Sequence, residues 1–280
     1  MTLNLPTFYK RTGSAIVFGI IMLTGLLWNN PAFLVLVCVI DVLCLREYFR
    51  LMQRITPDAH WPAWIPPATF AISLGVMALL ISGYIPGIVP VACQPYMPAL
   101  RATLALCPVV LLLLATLFQK NGLVAIMQAA AGVLYISLPM AMLFLIRLHG
   151  ATLPLALILM IWCNDTMAYL VGSFIGKTPF SPISPKKTWE GTGGGALLTV
   201  AAAVAYGYFS HQGRMTDWIA LALCAAVAGT VGDLLESKLK RMADVKDSGT
   251  MMPGHGGALD RFDSLIVATP FAFVYVYYFM

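Results

Sequence analysis

The sequence predicts an all-α polytopic membrane protein, and two features of its composition and one of its patterning predict it. Of 280 residues, 60% are hydrophobic and only 10% charged, whereas soluble domains carry roughly a quarter charged residues. Mean hydropathy is +0.83. Apolar runs near the length that crosses a bilayer recur along the chain without strict alternation. They therefore read as helices rather than barrel strands, the two structures that satisfy backbone polar groups in lipid.

About nine spans fit this pattern, at about 14–28, 31–45, 63–83, 103–118, 122–145, 151–174, 193–210, 217–235 and 264–280. Lys10 and Arg11 precede the first, as in a signal peptide, but "LLWNNPAF" holds no small-residue cleavage pattern and further spans follow, so it reads as a retained helix. "REYFRLMQR" reads as an interfacial helix continuing from the second span. Short loops rich in Lys and Arg stay cytoplasmic. With the N-terminus inside, fourteen basic residues (Lys10, Arg11, Arg46, Arg50, Arg54, Lys120, Lys177, Lys186, Lys187, Lys238, Lys240, Arg241, Lys246, Arg261) face the cytoplasm and three (Arg101, Arg147, Arg214) face away. The C-terminus, "YVYYFM", then lies outside as part of an aromatic belt.

The whole chain, 1–280, reads as a single integral membrane domain without repeats or low-complexity tracts, with N-terminal helices over about 1–150 and a catalytic part over about 151–280. A net charge of +5 follows from the basic inner face and its anionic lipid headgroups, and no nucleic-acid module is present. Cys38, Cys44, Cys93, Cys107, Cys163 and Cys224 are scattered, with no CxxC pair, and read as reduced, packed thiols. No GxSxG elbow, Ser/His/Asp arrangement or P-loop is evident.

Acids inside membrane spans are costly and are candidates for function. Asp41 in "CVIDVLC" either pairs with a neighbouring helix or acts directly. Asp165 shares a helical face with Tyr169 and Gly172, and either lines a site or braces a helix. Asp233 opens a stripe that continues through Ser237, Lys240, Arg241 and Asp244 on one helical face. Part of that stripe fits a solvated surface with pairs such as Glu236 and Lys240, but a carboxylate starting inside an apolar helix needs a cation.

Two polar loops carry the remaining chemistry. "KDSGTMMPGHGGALDRFD" supplies Asp247, Asp260 and Asp263, beside Gly254, Gly256 and Gly257, whose backbone can come close to an anion. "SPKKTWEG" supplies Lys186 and Lys187 after two X-Pro steps, with Ser184 and Thr188 as hydroxyl donors. Carboxylates suit a hard cation such as Mg²⁺, which keeps waters and substrate phosphates as its other ligands. Acids for a metal and bases for several phosphates are the equipment of phosphoryl or nucleotidyl transfer.

The run "SKLKRMADVKDSGTMMPGHGGALDRFDS", Ser237 to Ser264, resembles the signature of the phosphatidate cytidylyltransferases, in which S-x-hydrophobic-K-R is followed by K-D, HGG and D-R-x-D. "DTMAYLVGSFIGKTPFSPISPKKTWEG" is similar to a second segment of that family, and "KRTGSAIV" and "REYFRLM" are more loosely so. Residues 55–120 match least, and "VPVACQPYMPALRA" resembles nothing placed.

The resemblance implies transfer of CMP from CTP to phosphatidate, giving CDP-diacylglycerol and pyrophosphate, in a polar cavity facing the cytoplasm at a bacterial inner membrane. It implies Mg²⁺, leaves room for a monovalent cation beside it and for a homodimer, and involves membrane lipids as partners but no nucleic acid. Metal ligation carries over to Asp233 and Asp260, with Asp263, Asp247 and Asp165 in support. Lys186, Lys187, Lys240, Arg241 and Arg261 then clamp phosphates, with Ser184, Thr188, Ser237, Gly256 and Gly257 around them. His255 either donates to a phosphate or shapes its loop. Competing readings are a cytidylyltransferase for another lipid phosphate, a CDP-alcohol phosphotransferase (whose DGxxAR cluster is absent), an ion-coupled transporter using Asp41, Asp165 and Asp233, and an inactive scaffold.

Overall fold

The computed structural model describes residues 5–59, 61–84, 122–251 and 256–280. In chain order the elements are α1 (Leu5–Trp28), α2 (Asn30–Ile55), α3 (Ile65–Tyr84), α4 (Gly122–Gly132), α5 (Leu138–Leu148), α6 (Thr152–Ile175), β1 (Pro179–Ser181), β2 (Ser184–Thr188), α7 (Trp189–Ser210), α8 (Met215–Leu223), α9 (Gly229–Met242) and α10 (Leu259–Tyr278). A π-helical turn, Val133–Ser137, joins α4 to α5, and another, Cys224–Ala228, joins α8 to α9.

Among the described residues five helical stretches are long and apolar enough to cross a membrane: Ile65–Ser82, Leu123–Leu148, Thr152–Ile175, Trp189–Ser210 and Met215–Met242. The apolar part of α1, Ile16–Trp28, is shorter. Charged side chains interrupt the apolar runs of α2 and α10. The span expected at 103–118 lies outside the described residues. This is an all-α membrane protein by length, composition and helical content.

Local sequence explains the element ends near the polar loops. Asn29 caps α2, its side chain accepting from the Ala32 N–H at 2.8 Å, and Pro31 sits in the first turn where its missing N–H costs nothing. The helix then runs unbroken to Ile55, so "REYFRLMQR" continues the second span as expected. Its buried face, Phe33, Val37, Ile40, Cys44, Leu45 and Tyr48, follows the helical period.

Three departures from the sequence reading matter for function. The loop "SPISPKKT" contains an antiparallel ribbon, β1 with β2, where irregular chain was expected. The helix after it starts at Trp189 rather than near 193. The last helix starts at Leu259 rather than near 264, which puts Asp260 and Asp263 on its first turns instead of in a loop. In each case polarity suggests a loop, whereas the polar side chains line a cavity between the helices.

Two close helix pairs frame that cavity. α6 and α7 meet through small residues: a Cβ at Gly195 would come within 2.8 Å of Ala168 Cβ, and one at Gly191 within 2.9 Å of Gly172 Cα. Small residues of this kind let membrane helices approach. α9 and α10 meet at Gly232, where an added Cβ would strike the Asp263 carbonyl oxygen. α10 also packs on α2, α5 and α6, and its Leu259, Phe262, Leu265, Ile266 and Ala268 are buried in the core. Cys38, Cys44, Cys163 and Cys224 are free thiols, as expected for them.

Candidate functional site

α6, β2, the start of α7, α9 and α10 enclose a cavity of about 720 Å³. Its lining brings together Asp165, Ser184, Lys186, Lys187, Thr188, Asp233, Lys240, Asp247, Asp260, Arg261 and Asp263. The two polar loops, some fifty residues apart in sequence, therefore face one space.

The ribbon that carries the lysines is tied down by its own hydrogen bonds. Glu190 accepts from the Lys177 N–H at 3.1 Å and from the Thr178 hydroxyl at 2.8 Å, and Trp189 N donates to Thr178 O at 3.0 Å. Thr188 ends β2 and caps α7, its hydroxyl accepting from Gly191 N at 3.1 Å. A carboxylate in the first turn of α7 also suits the positive end of the helix dipole. Lys186 and Lys187 are thereby held over the cavity on a short strand rather than on a free loop.

Asp233 finds the cation that its position demands. Lys187 forms an ion pair with it, and Ser237 donates to its Oδ1 at 3.3 Å. Asp260 is gripped more tightly. Its Oδ1 lies 2.6 Å from Lys240 Nζ, and its Oδ2 accepts from Gly257 N at 2.7 Å and Ser248 N at 2.9 Å. The Gly257 N–H is thus given to Asp260. Gly256, at φ +85°, leaves the space that the Asp260 carboxyl fills.

Asp233 and Asp263 gather with a third acid, Glu236. One oxygen from each lies within 4.8 Å of the others. Glu236 is fully buried, with Lys240 Nζ 2.5 Å from its Oε2 and no partner for its Oε1 among the described residues. Three carboxylates this close repel one another strongly unless a cation or proton intervenes. The donor set, all hard oxygen with one buried carboxyl oxygen, Glu236 Oε1, left without a partner among the described residues, fits a hard divalent cation.

In the sequence Glu236 fits half of a surface i to i+4 pair, which gives it no place in a site. The pair with Lys240 exists but is buried. The signal was the i to i+3 spacing from Asp233, which puts both acids on one helical face. A second acid outside the predicted set is Glu47 on α2, which is buried and accepts from Ser248 Oγ at 2.7 Å, Ala258 N at 3.0 Å and Leu259 N at 2.8 Å. An acid amid "CLREYFRL" was the available clue.

Other expected residues fall elsewhere. Arg241 is exposed and does not line the cavity, and Ser237 reaches it through Asp233. His255 lies outside the described residues. Asp41 is buried in a separate place, where Ser73 of α3 donates to it, and it lines neither this cavity nor its neighbour. That neighbour is a recess of about 330 Å³ between α1, α6 and α10, lined by Phe18, Met22, Ile158, Ile161 and Trp162. Both spaces share Asp165, Asp260, Arg261, Asp263 and Ser264 as walls.

A helical membrane protein whose polar cavity pairs an acid cluster with lysines is equipped for phosphate chemistry, and the comparison with known families agrees. The Cytidylyltransferase family matches residues 9–279, and the chain belongs to it. Among its relatives, a phosphatidate cytidylyltransferase of Staphylococcus aureus (strain COL) is 31% identical over 267 residues, covering 93% of this chain and 95% of the relative. One of Haemophilus influenzae is 40% identical over 138 residues and one of Bacillus subtilis (strain 168) is 42% identical over 127. Those two matches span about half the length of each relative, 48% and 47%.

Proposed function

We propose that this protein transfers CMP from CTP to phosphatidate, forming CDP-diacylglycerol and releasing pyrophosphate, at the cytoplasmic face of a bacterial inner membrane. The observation that carries this reading is the pair of adjacent spaces: a charged cavity beside an apolar-sided recess, with Asp165, Asp260, Arg261, Asp263 and Ser264 lining both. A nucleoside triphosphate suits the first, and the glycerol and upper acyl carbons of a lipid phosphate suit the second. The fourteen basic residues against three across the expected spans support the cytoplasmic orientation.

Phosphatidate brings its own nucleophile, an anionic phosphate oxygen, so no activated serine or cysteine is required. That oxygen attacks the α-phosphorus of CTP, the new P–O bond forms, and the bond to the β-phosphate breaks to release pyrophosphate. The obstacle is the repulsion between a lipid phosphate and a triphosphate in a space poor in water. Lys186, Lys187 and Arg261 line the cavity and can take up phosphate oxygens, with Lys187 exchanging its partner Asp233 for substrate. Lys240 holds Asp260 in place against α9.

Asp233, Glu236 and Asp263 would hold a magnesium ion, with Asp260 facing the same cavity. Bound there, the ion supplies charge neutralisation for the α- and β-phosphates and for the departing pyrophosphate. The test is pyrophosphate release by detergent-purified protein given CTP, Mg²⁺ and phosphatidate, each omitted in turn, with Asp260→Asn and Asp233→Asn alongside. Release that needs all three components and is lost in both variants is expected. Folded wild-type protein that releases none with phosphatidate but does so with another lipid phosphate moves the acceptor, and silence with every lipid phosphate sinks the nucleotidyl-transfer reading.

A further inference from the structure

Glu47 stands on α2, about two hundred residues from the groups it binds, and only 5% of it is exposed. Its carboxylate receives the N–H groups of Ala258 and Leu259 at 3.0 and 2.8 Å, and the Ser248 hydroxyl at 2.7 Å. Ala258 occupies the N-cap of α10 and offers no side-chain acceptor of its own. The first N–H groups of a helix lack partners within the helix and need one from outside. Glu47 fills that role from another helix, with a negative charge at the positive end of the α10 dipole.

Two glycines show that the fit is built around this carboxylate. An added Cβ at Gly249 or at Gly257 would run into the Glu47 carboxyl oxygens. Ser248 is shared as well, since its hydroxyl lies 3.0 Å from Asp260 Oδ2 and its N–H donates to that same oxygen. The first two helical turns of α10 carry Asp260 and Asp263, so the group that seats the start of α10 also sets where those acids stand.

We propose that Glu47 is a positioning residue for the nucleotidyl transfer: it touches no substrate, and it acts by fixing the N-terminus of α10 and Ser248, and through them Asp260 and Asp263. This rests on the transfer reading above. The role differs from plain helix stability because it predicts a loss of turnover in protein that is still folded.

The test compares wild type, Glu47→Gln and Glu47→Asp in detergent by steady-state pyrophosphate release and by hydrogen exchange over residues 256–264. Gln keeps the shape but turns an amide toward groups that donate, and Asp keeps the charge but withdraws it by one methylene. A displacement of about 1 Å at a reacting centre can cost about a hundredfold in rate. The expected result for Glu47→Gln is a monodisperse protein with kcat about a hundredfold lower, a much smaller rise in KM for CTP because the lysine ribbon stays in place while Arg261 moves with α10, and faster exchange at Ala258 and Leu259. Glu47→Asp should lie between it and wild type.

Wild-type kcat in folded Glu47→Gln overturns the proposal, and so does a loss of activity that only tracks the fraction of unfolded protein. If Glu47→Gln does not fold, Glu47→Asp decides: at least a tenfold loss of kcat supports the role and wild-type kcat overturns it. A wild type that releases no pyrophosphate overturns the underlying reading instead, which is a separate result because failure of the Glu47 role leaves the wild type active.

Discussion

At the scale of single residues, two lysines that look alike in sequence have different duties. Lys240 is 16% exposed and touches Glu236 and Asp260, which are 0% and 5% exposed at their side chains. Lys240→Met would leave two buried carboxylates without their cation, and breaking a buried pair in this way costs about 3–5 kcal/mol. The expected outcome is a large fall in the unfolding midpoint in detergent. Lys187 and its partner Asp233 are 27% and 30% exposed, where an ion pair contributes little to stability. Lys187→Met should therefore unfold within a few degrees of wild type yet lose about a hundredfold in kcat/KM, the usual cost of removing one group aimed at developing charge. Equal destabilisation by both substitutions would show that Lys187 is structural.

At the scale of elements, the site depends on how closely α9 and α10 approach. Gly232 permits that approach, since a Cβ there would collide with the Asp263 carbonyl oxygen, an atom of backbone that cannot swing aside. Gly232→Ala should cost about 1–3 kcal/mol, as overpacking typically does, and should separate Asp233 from Asp263. Raised magnesium demand for half-maximal activity is the accompanying signature. Gly193 on α7 is the matched control, because nothing lies within 4 Å of its added Cβ. Gly193→Ala should keep full activity and raise stability by about 0.5–1 kcal/mol, because alanine costs less backbone entropy than glycine inside a helix. A Gly232→Ala protein as stable and active as the control would mean that α9 and α10 tolerate a wider spacing.

At the scale of the whole molecule, orientation is the property on which the lipid chemistry depends. With the expected topology, Lys186 lies on the cytoplasmic side and Arg214 on the other. In a variant cleared of native cysteines, Lys186→Cys should react with a membrane-impermeant thiol reagent only in inside-out vesicles, and Arg214→Cys only in right-side-out ones. The reversed pattern would turn the site away from the compartment that holds CTP. Removing magnesium with a chelator should abolish pyrophosphate release and leave the helical content unchanged, because the core is built from apolar side chains such as Phe33, Phe144, Met140 and Leu157.

What the sequence determined by itself was what hydropathy and residue type encode locally: a helical membrane protein, the polar segments that interrupt it, and through their motifs the family. Asp233, Asp260, Asp263, Lys187 and Lys240 were legible because charge is conspicuous in a chain with so little of it. Only the tertiary structure decided their partners. That Lys187 meets Asp233 across forty-six residues, that Lys240 joins Glu236 to Asp260, and that Glu47 caps a helix beginning at Leu259 are pairings between distant segments. The physical reason is that helix periodicity reports on neighbours three and four residues apart, whereas the pairing of buried charges is settled by how helices pack, through glycines whose close contacts no local pattern displays.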